Sequence, residues 1–198
     1  MTPIETIRQG VAITPGDHVC AFYRGREQRD EVLLPFLQDG IVAGDKCICV
    51  MDDPDVEQVA KPLSLVVDLD APLRTGQVDL LTTDEAYLPD GTFQMDRMLD
   101  FWDKRIGHAV DQGGYPFVRA VGEMTWALRG LPGASDLTRY EARLNRLLPR
   151  CQVILCLYDL ERFTDGHVLM ELLRTHPKVL MSGQLLENPW YVDATAAA

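Results

Sequence analysis

Apolar positions along this chain alternate between two patterns, short β-branched and aromatic runs and longer stretches with helical spacing. Residues 18–23, 46–52, 78–82, 117–123, 152–158 and 179–181 read as six strands. The run at 152–158 is the most apolar, as expected for a strand at the sheet centre covered on both faces. Between the strands lie helical patterns. The clearest has Met95, Met98, Leu99, Trp102, Ile106, Ala109 and Val110 on one stripe and stops at Gly113-Gly114. A second, capped by Asp136, carries Leu137, Tyr140, Leu144, Leu147 and Leu148 and stops at Pro149. A helix over residues 31–42 places Pro35 in its first turn, where proline is tolerated. Asp53-Pro54 caps another that Pro62 ends, and Thr164 or Asp165 caps one running to Arg174. Thr2-Pro3-Ile4-Glu5 has the form of a capping box for an opening helix to Gly10.

Strands alternating with helices imply βαβ units, hence an α/β fold with a mostly parallel central sheet flanked by helices. A length of 198 residues suits one domain, taken here as residues 1–192 followed by a frayed tail at 193–198. The longest uncharged apolar stretch falls far short of the ~18 residues of a membrane span. With Glu5 and Arg8 near the start and no apolar signal segment, the expected location is cytoplasmic. Nineteen basic against thirty acidic residues give a net charge of −11, which repels phosphate backbones, so direct nucleic-acid binding is not expected. The five cysteines are odd in number and form no C-x-x-C pair, and all five read as reduced thiols.

In parallel sheets ligands bind beyond the carboxyl ends of the strands, so those residues carry the candidate chemistry. After Tyr23 the chain runs Arg24-Gly25-Arg26-Glu27-Gln28-Arg29-Asp30-Glu31. A phosphate loop in this slot would need G-x-x-x-x-G-K-[ST]. Here there is one glycine, no lysine, and carboxylates where phosphate would approach, so neither nucleotide hydrolysis nor any other enzyme activity is expected. Glu123 stands where an ATPase would place its metal-directed acid, and Trp126 offers a flat wall. The alternative is that Glu123 pairs with an arginine and Trp126 covers the sheet. Tyr158, Asp159 and His176 could orient a small polar ligand, or His176 could simply be a helix-end imidazole held by backbone. His18 and Cys20 share one strand face and could supply two metal ligands, with Cys156 or His176 completing a site. Buried cysteine usually acts as a small hydrophobe, and no dense ligand motif is present, so no metal or cofactor is expected.

Several short motifs resemble a known family in order and spacing. They are Gly16-Asp17-His18-Val19-Cys20 with Tyr23, Leu33-Leu34-Pro35-Phe36-Leu37 with Gly40 and Gly44, and Lys46-Cys47-Ile48-Cys49-Val50. Gly122-Glu123-Met124-Thr125-Trp126, Tyr140-Glu141 with Leu144-Asn145, and Cys156-Leu157-Tyr158-Asp159 follow. His176-Pro177 and Asn188-Pro189 with Tyr191 complete the series. Together they resemble the DcmR-type sensory domain, or MEDS. The resemblance implies a RecA-like three-layer sandwich related to the KaiC ATPases, with a degenerate phosphate loop. It also implies sensing of small hydrocarbon derivatives coupled to transcription or kinase signalling. The expectation is a small-molecule-sensing regulatory domain acting through a separate kinase or transcription factor, with self-association left open. Its ligand would lie among Tyr23, Arg24, Glu123, Trp126, Tyr158, Asp159 and His176, then His18 and Cys20. The alternatives are a vestigial RecA-like interaction module without a ligand, or a nucleotide-binding ATPase-like enzyme.

Overall fold

β1 (His18–Tyr23) leads into α1 (Gly25–Ala43), β2 (Lys46–Met51), α2 (Glu57–Ser64), α3 (Asp70–Thr75) and β3 (Val78–Thr82). The chain continues through α4 (Thr83–Ala86), α5 (Met95–Asp111) and β4 (Val118–Glu123), then two 3-10 turns, Thr125–Arg129 and Ala134–Asp136. α6 (Leu137–Leu144), β5 (Gln152–Asp159), α7 (Gly166–Thr175), β6 (Lys178–Met181) and β7 (Gln184–Glu187) complete it. The structure is a computed structural model that describes residues 13–52, 56–146 and 152–193. The expected opening helix, the Asp53-Pro54 cap, the Leu147-to-Pro149 helix end and all but the first residue of the expected tail lie outside those residues.

The strands form one sheet in the order β3-β2-β4-β5-β1-β6-β7. Every neighbouring pair is parallel except β6 and β7. β5 is the middle strand, and all its residues are buried, which is why its sequence is continuously apolar instead of alternating. One sheet face packs against α5, α6 and α7 through Trp102, Tyr140, Leu144 and Leu172. The other packs against α1 and α2 through Leu33, Phe36, Leu37, Val59 and Leu63. The result is an α/β three-layer sandwich.

The structure departs from the sequence expectation at three elements. α1 begins at Gly25, not near residue 31, because the charged segment 25–30 forms its first turns, with Arg26, Glu27 and Gln28 exposed and Arg29 buried, and Pro35 lies mid-helix. Proline there removes the bond to the carbonyl of Glu31, a residue exposed to water, which softens the loss. α2 likewise runs through Pro62 to Ser64. β7 was not anticipated; Ser182 and Gly183, with φ of 51° and 73°, make a tight two-residue hairpin that returns the chain along β6. Asp136 sits at the start of α6 but makes no cap bond, its carboxylate accepting instead from Arg139 at 3.2 Å. Asp165 does cap α7, accepting from the His167 N–H at 2.8 Å.

Candidate functional site

A polar cleft opens where β1, β2, β4 and β5 end. Tyr23, Arg26, Arg29, Asp52, Glu123, Thr125, Asp159 and Arg162 line a space of about 310 Å³. Each strand delivers its last or next residue there, and the parallel register holds the ends level, with Tyr23 opposite Asp159 and Glu123 opposite Leu157. The Tyr23 hydroxyl donates to Glu123 Oε1 at 2.6 Å, and the Asp52 backbone N–H donates to Oε2 at 3.0 Å. Burial pushes the Glu123 carboxyl above its ordinary range, against the lowering effects of the Tyr23 hydrogen bond and of nearby Arg29. Burial likewise raises the Tyr23 phenol, and the Glu123 carboxylate adds to that. Asp52 accepts from Thr125 at 2.6 Å and pairs with Arg129, with Arg162 3.8 Å away.

The turn from β1 into α1 is where a phosphate-binding protein would present free backbone N–H groups. In this chain the first two of them have partners of the protein's own. The Arg24 N–H donates to Gln28 Oε1 at 2.9 Å, and the Gly25 N–H reaches Asp159 Oδ1 at 3.4 Å. The same Asp159 oxygen accepts from the Glu161 N–H at 2.9 Å, and the Glu161 carboxylate lies beside Gly25. The positive end of α1 therefore faces carboxylates.

A second polar group lies within the core, beneath the opposite sheet face. His18 Nε2 is 3.2 Å from Cys156 Sγ and 3.1 Å from Glu141 Oε2. His176 Nε2 is 3.4 Å from that same oxygen, and the Tyr158 hydroxyl donates to Glu141 Oε1 at 2.7 Å. The His18 and His176 rings stack at a tilt, 4.1 Å apart. Burial and neighbouring His176 hold the His18 imidazole below its ordinary value. Burial acts to raise the Glu141 carboxyl, but the adjacent His176 and His18 imidazoles outweigh it and hold the group below the usual carboxylate range.

The candidate residues thus separate into two places. Tyr23, Glu123 and Asp159 meet in the cleft, while His18, Tyr158 and His176 meet in the buried cluster, with Cys20 beside Cys156 in the register. Arg24 is exposed at the start of α1 and is not a lining residue; Arg26 and Arg29, further along the start of α1, line it instead. Trp126 is no pocket wall. It is fully buried, stacked on Tyr87 at 5.2 Å and packed on Phe93 at 4.5 Å, because the 3-10 turn after β4 folds it back over the sheet. Sequence reasoning assigned no role to Asp52, Thr125, Arg162 or Glu141. The Glu141 signal was available: a carboxylate sits on the apolar stripe of Leu137, Tyr140 and Leu144, where a charge is unexpected.

The architecture defines a RecA/KaiC-like α/β protein. An uncharacterised Pyrococcus horikoshii protein, solved with an unknown peptide, aligns at a TM-score of 0.61 and 12% identity over 84% of this chain and 77% of its own. A KaiC-like protein of the same archaeon aligns at 0.58 and 15% identity, covering 83% and 70% of the two chains. The flagellar accessory protein FlaH of Methanocaldococcus jannaschii gives 0.56 and 10%, covering 87% and 76%. The family is fixed by sequence: residues 17–177 match the MEDS family, the "MEthanogen/methylotroph, DcmR Sensory domain", and this chain belongs to it. It is also 29% identical over 170 residues to the transcriptional repressor DcmR of Methylorubrum extorquens, across 84% of this chain and 60% of that repressor's length.

Proposed function

We propose that this sensory domain binds a small organic ligand with at least one polar end in the strand-end cleft, and passes the change to a regulatory partner. The observation that carries this reading is the self-satisfied turn at the start of α1. The Arg24 and Gly25 N–H groups at that turn are engaged by Gln28 and Asp159, while the cleft beside it still gathers three arginines and three carboxylates. Mixed charge around a cavity of about 310 Å³ suits a compact ligand with a hydroxyl, carboxyl or polarised halogen. The family's name and the repressor relative support a sensory role linked to transcription.

The moving part in this reading is α1, whose first two turns supply Arg26 and Arg29 to the cleft and whose remainder covers the sheet. A ligand transmits a signal only by binding one arrangement better than another. The test is a thermal-shift panel of small alcohols, small carboxylic acids, halomethanes and Mg-nucleotides on the wild type and on Arg26→Glu. The expected result is a saturable rise with a small organic compound, about 2.7 kcal/mol at 100 times its dissociation constant, that Arg26→Glu weakens. A saturable rise with Mg-ATP alone would replace this reading with a nucleotide-binding one, and no rise with any compound would favour a ligand-free interaction module.

A further inference from the structure

Four side chains from separate stretches converge on one point inside the core. His18 opens β1, Cys156 lies mid-β5, Glu141 lies on α6 and His176 follows α7. All four are buried, and one ligating atom from each lies within 4.8 Å of the others. The separations are 3.1 Å for His18 Nε2 to Glu141 Oε2, 3.2 Å for His18 Nε2 to Cys156 Sγ, 3.4 Å for His176 Nε2 to Glu141 Oε2 and 3.5 Å for Cys156 Sγ to Glu141 Oε2. Tetrahedral zinc, with bonds of about 2.0–2.3 Å, sets its ligand atoms about 3.3–3.8 Å apart, so these four of the six separations lie near that spacing and the whole set stays within 4.8 Å.

The far side of each imidazole is fixed as metal-ligating histidines are. His176 Nδ1 lies 2.8 Å from the Leu172 carbonyl, which can only accept, so Nδ1 carries the proton. His18 Nδ1 lies 3.2 Å from Asn145 Oδ1, and the Asn145 amide is oriented by donating to the Thr175 carbonyl at 2.7 Å. Both Nε2 lone pairs then point at the Glu141 carboxylate. His176 Nε2 has no hydrogen-bond partner among the described residues, although it is buried. The Cys156 thiol and the Tyr158 hydroxyl can each donate one hydrogen bond to Glu141, and a cation among the four ligating atoms would engage both Nε2 lone pairs as well.

We propose that His18, Glu141, Cys156 and His176 hold one divalent zinc-class ion as a closed structural centre. Two neutral imidazoles, one carboxylate and one thiolate balance the two positive charges. Binding forms the sulfur–metal bond and releases the thiol proton to solvent, with no change of oxidation state. The Tyr158 hydroxyl on Glu141 Oε1 would steady the carboxylate from outside. Such an ion would tie α6 and the segment after α7 to the middle of the sheet. The proposal stands independently of what the strand-end cleft binds.

The test uses the full, untagged chain expressed with zinc in the medium and freed of loose metal by gel filtration and mild chelation. Elemental analysis should find about one zinc per chain, and cobalt exchanged for it should give the intense visible bands of a tetrahedral site and a sulfur-to-cobalt charge-transfer band. Cys156→Ala and His176→Gln should each lower the zinc content at least about tenfold. Cys49→Ala, a buried cysteine on the other sheet face, should keep it. Should either site variant fail to fold, the cobalt spectrum of the wild type decides alone. Wild-type protein carrying under about a tenth of an equivalent, a cobalt spectrum without the thiolate band, or a folded Cys156→Ala that retains its zinc would overturn the proposal.

Discussion

Trp102 and Trp126 both lie in the aromatic core, yet they are held differently. Trp102 Nε1 donates to the Tyr140 hydroxyl at 2.8 Å, whereas Trp126 Nε1 has no hydrogen-bond partner among the described residues and the ring is held by stacking on Tyr87 and Phe93. Alanine at either position should cost about 3–5 kcal/mol in urea unfolding. Phenylalanine should separate them: Trp102→Phe abandons a hydrogen bond and Trp126→Phe does not, so the second change should be the milder. A second residue-scale outcome concerns Tyr23→Phe, which removes the donor to the buried Glu123 carboxylate and should cost about 1–3 kcal/mol at neutral pH. Glu123 has a raised folded value, so its ionisation costs stability as pH rises above the ordinary carboxylate value of 4.5. Loss of the tyrosine donor raises it further. The deficit of Tyr23→Phe against wild type should therefore open as pH rises through that window and close below it, and a deficit constant from pH 4 to 8 would show that Glu123 is not its source.

At the scale of elements, α1 fits the sheet only because Gly40 has no side chain. A Cβ there would stand 2.6 Å from Arg119 Cδ and 2.7 Å from Cys47 Sγ, and Arg119 is fixed by bonds to Asp45 at 2.8 Å and to the Phe36 carbonyl at 3.0 Å. Gly40→Ala should cost about 1–3 kcal/mol through overpacking. Gly107→Ala, on α5 with open space around it, should instead stabilise by about 0.5–1 kcal/mol. Denaturation midpoints of the two variants check both signs. The elements themselves were readable where periodicity was strong, as in α5 and the six anticipated strands. The start of α1 was not readable, because residues 25–30 are polar throughout and helix propensity there has no apolar stripe to reveal it. β7 was hidden for a related reason: four residues with Leu185 buried and Leu186 exposed carry too little pattern to register as a strand.

At the scale of the molecule, the fold is KaiC-like while the Arg24 and Gly25 N–H groups of the β1–α1 turn are taken by the protein's own acceptors. Mg-ATP should therefore leave the melting temperature unchanged, and phosphate release should stay at the buffer rate. The sequence feature from which this expectation follows is the absence of a lysine between Tyr23 and Leu37. The composition of the cleft was only half legible. Tyr23, Glu123 and Asp159 end their strands and could be read from position, but Arg162 and Thr125 reach the cleft from turns whose paths depend on tertiary packing, as Trp126 does in turning the other way. The most direct measurement is backbone-amide NMR of the isotopically labelled chain, titrated with the small alcohols, carboxylic acids and halomethanes of the thermal panel. The account predicts saturable shifts grouped at residues 23–29, 52, 123–125 and 159–162 with at least one of these compounds. Saturable shifts grouped elsewhere, or none with any compound, would contradict it.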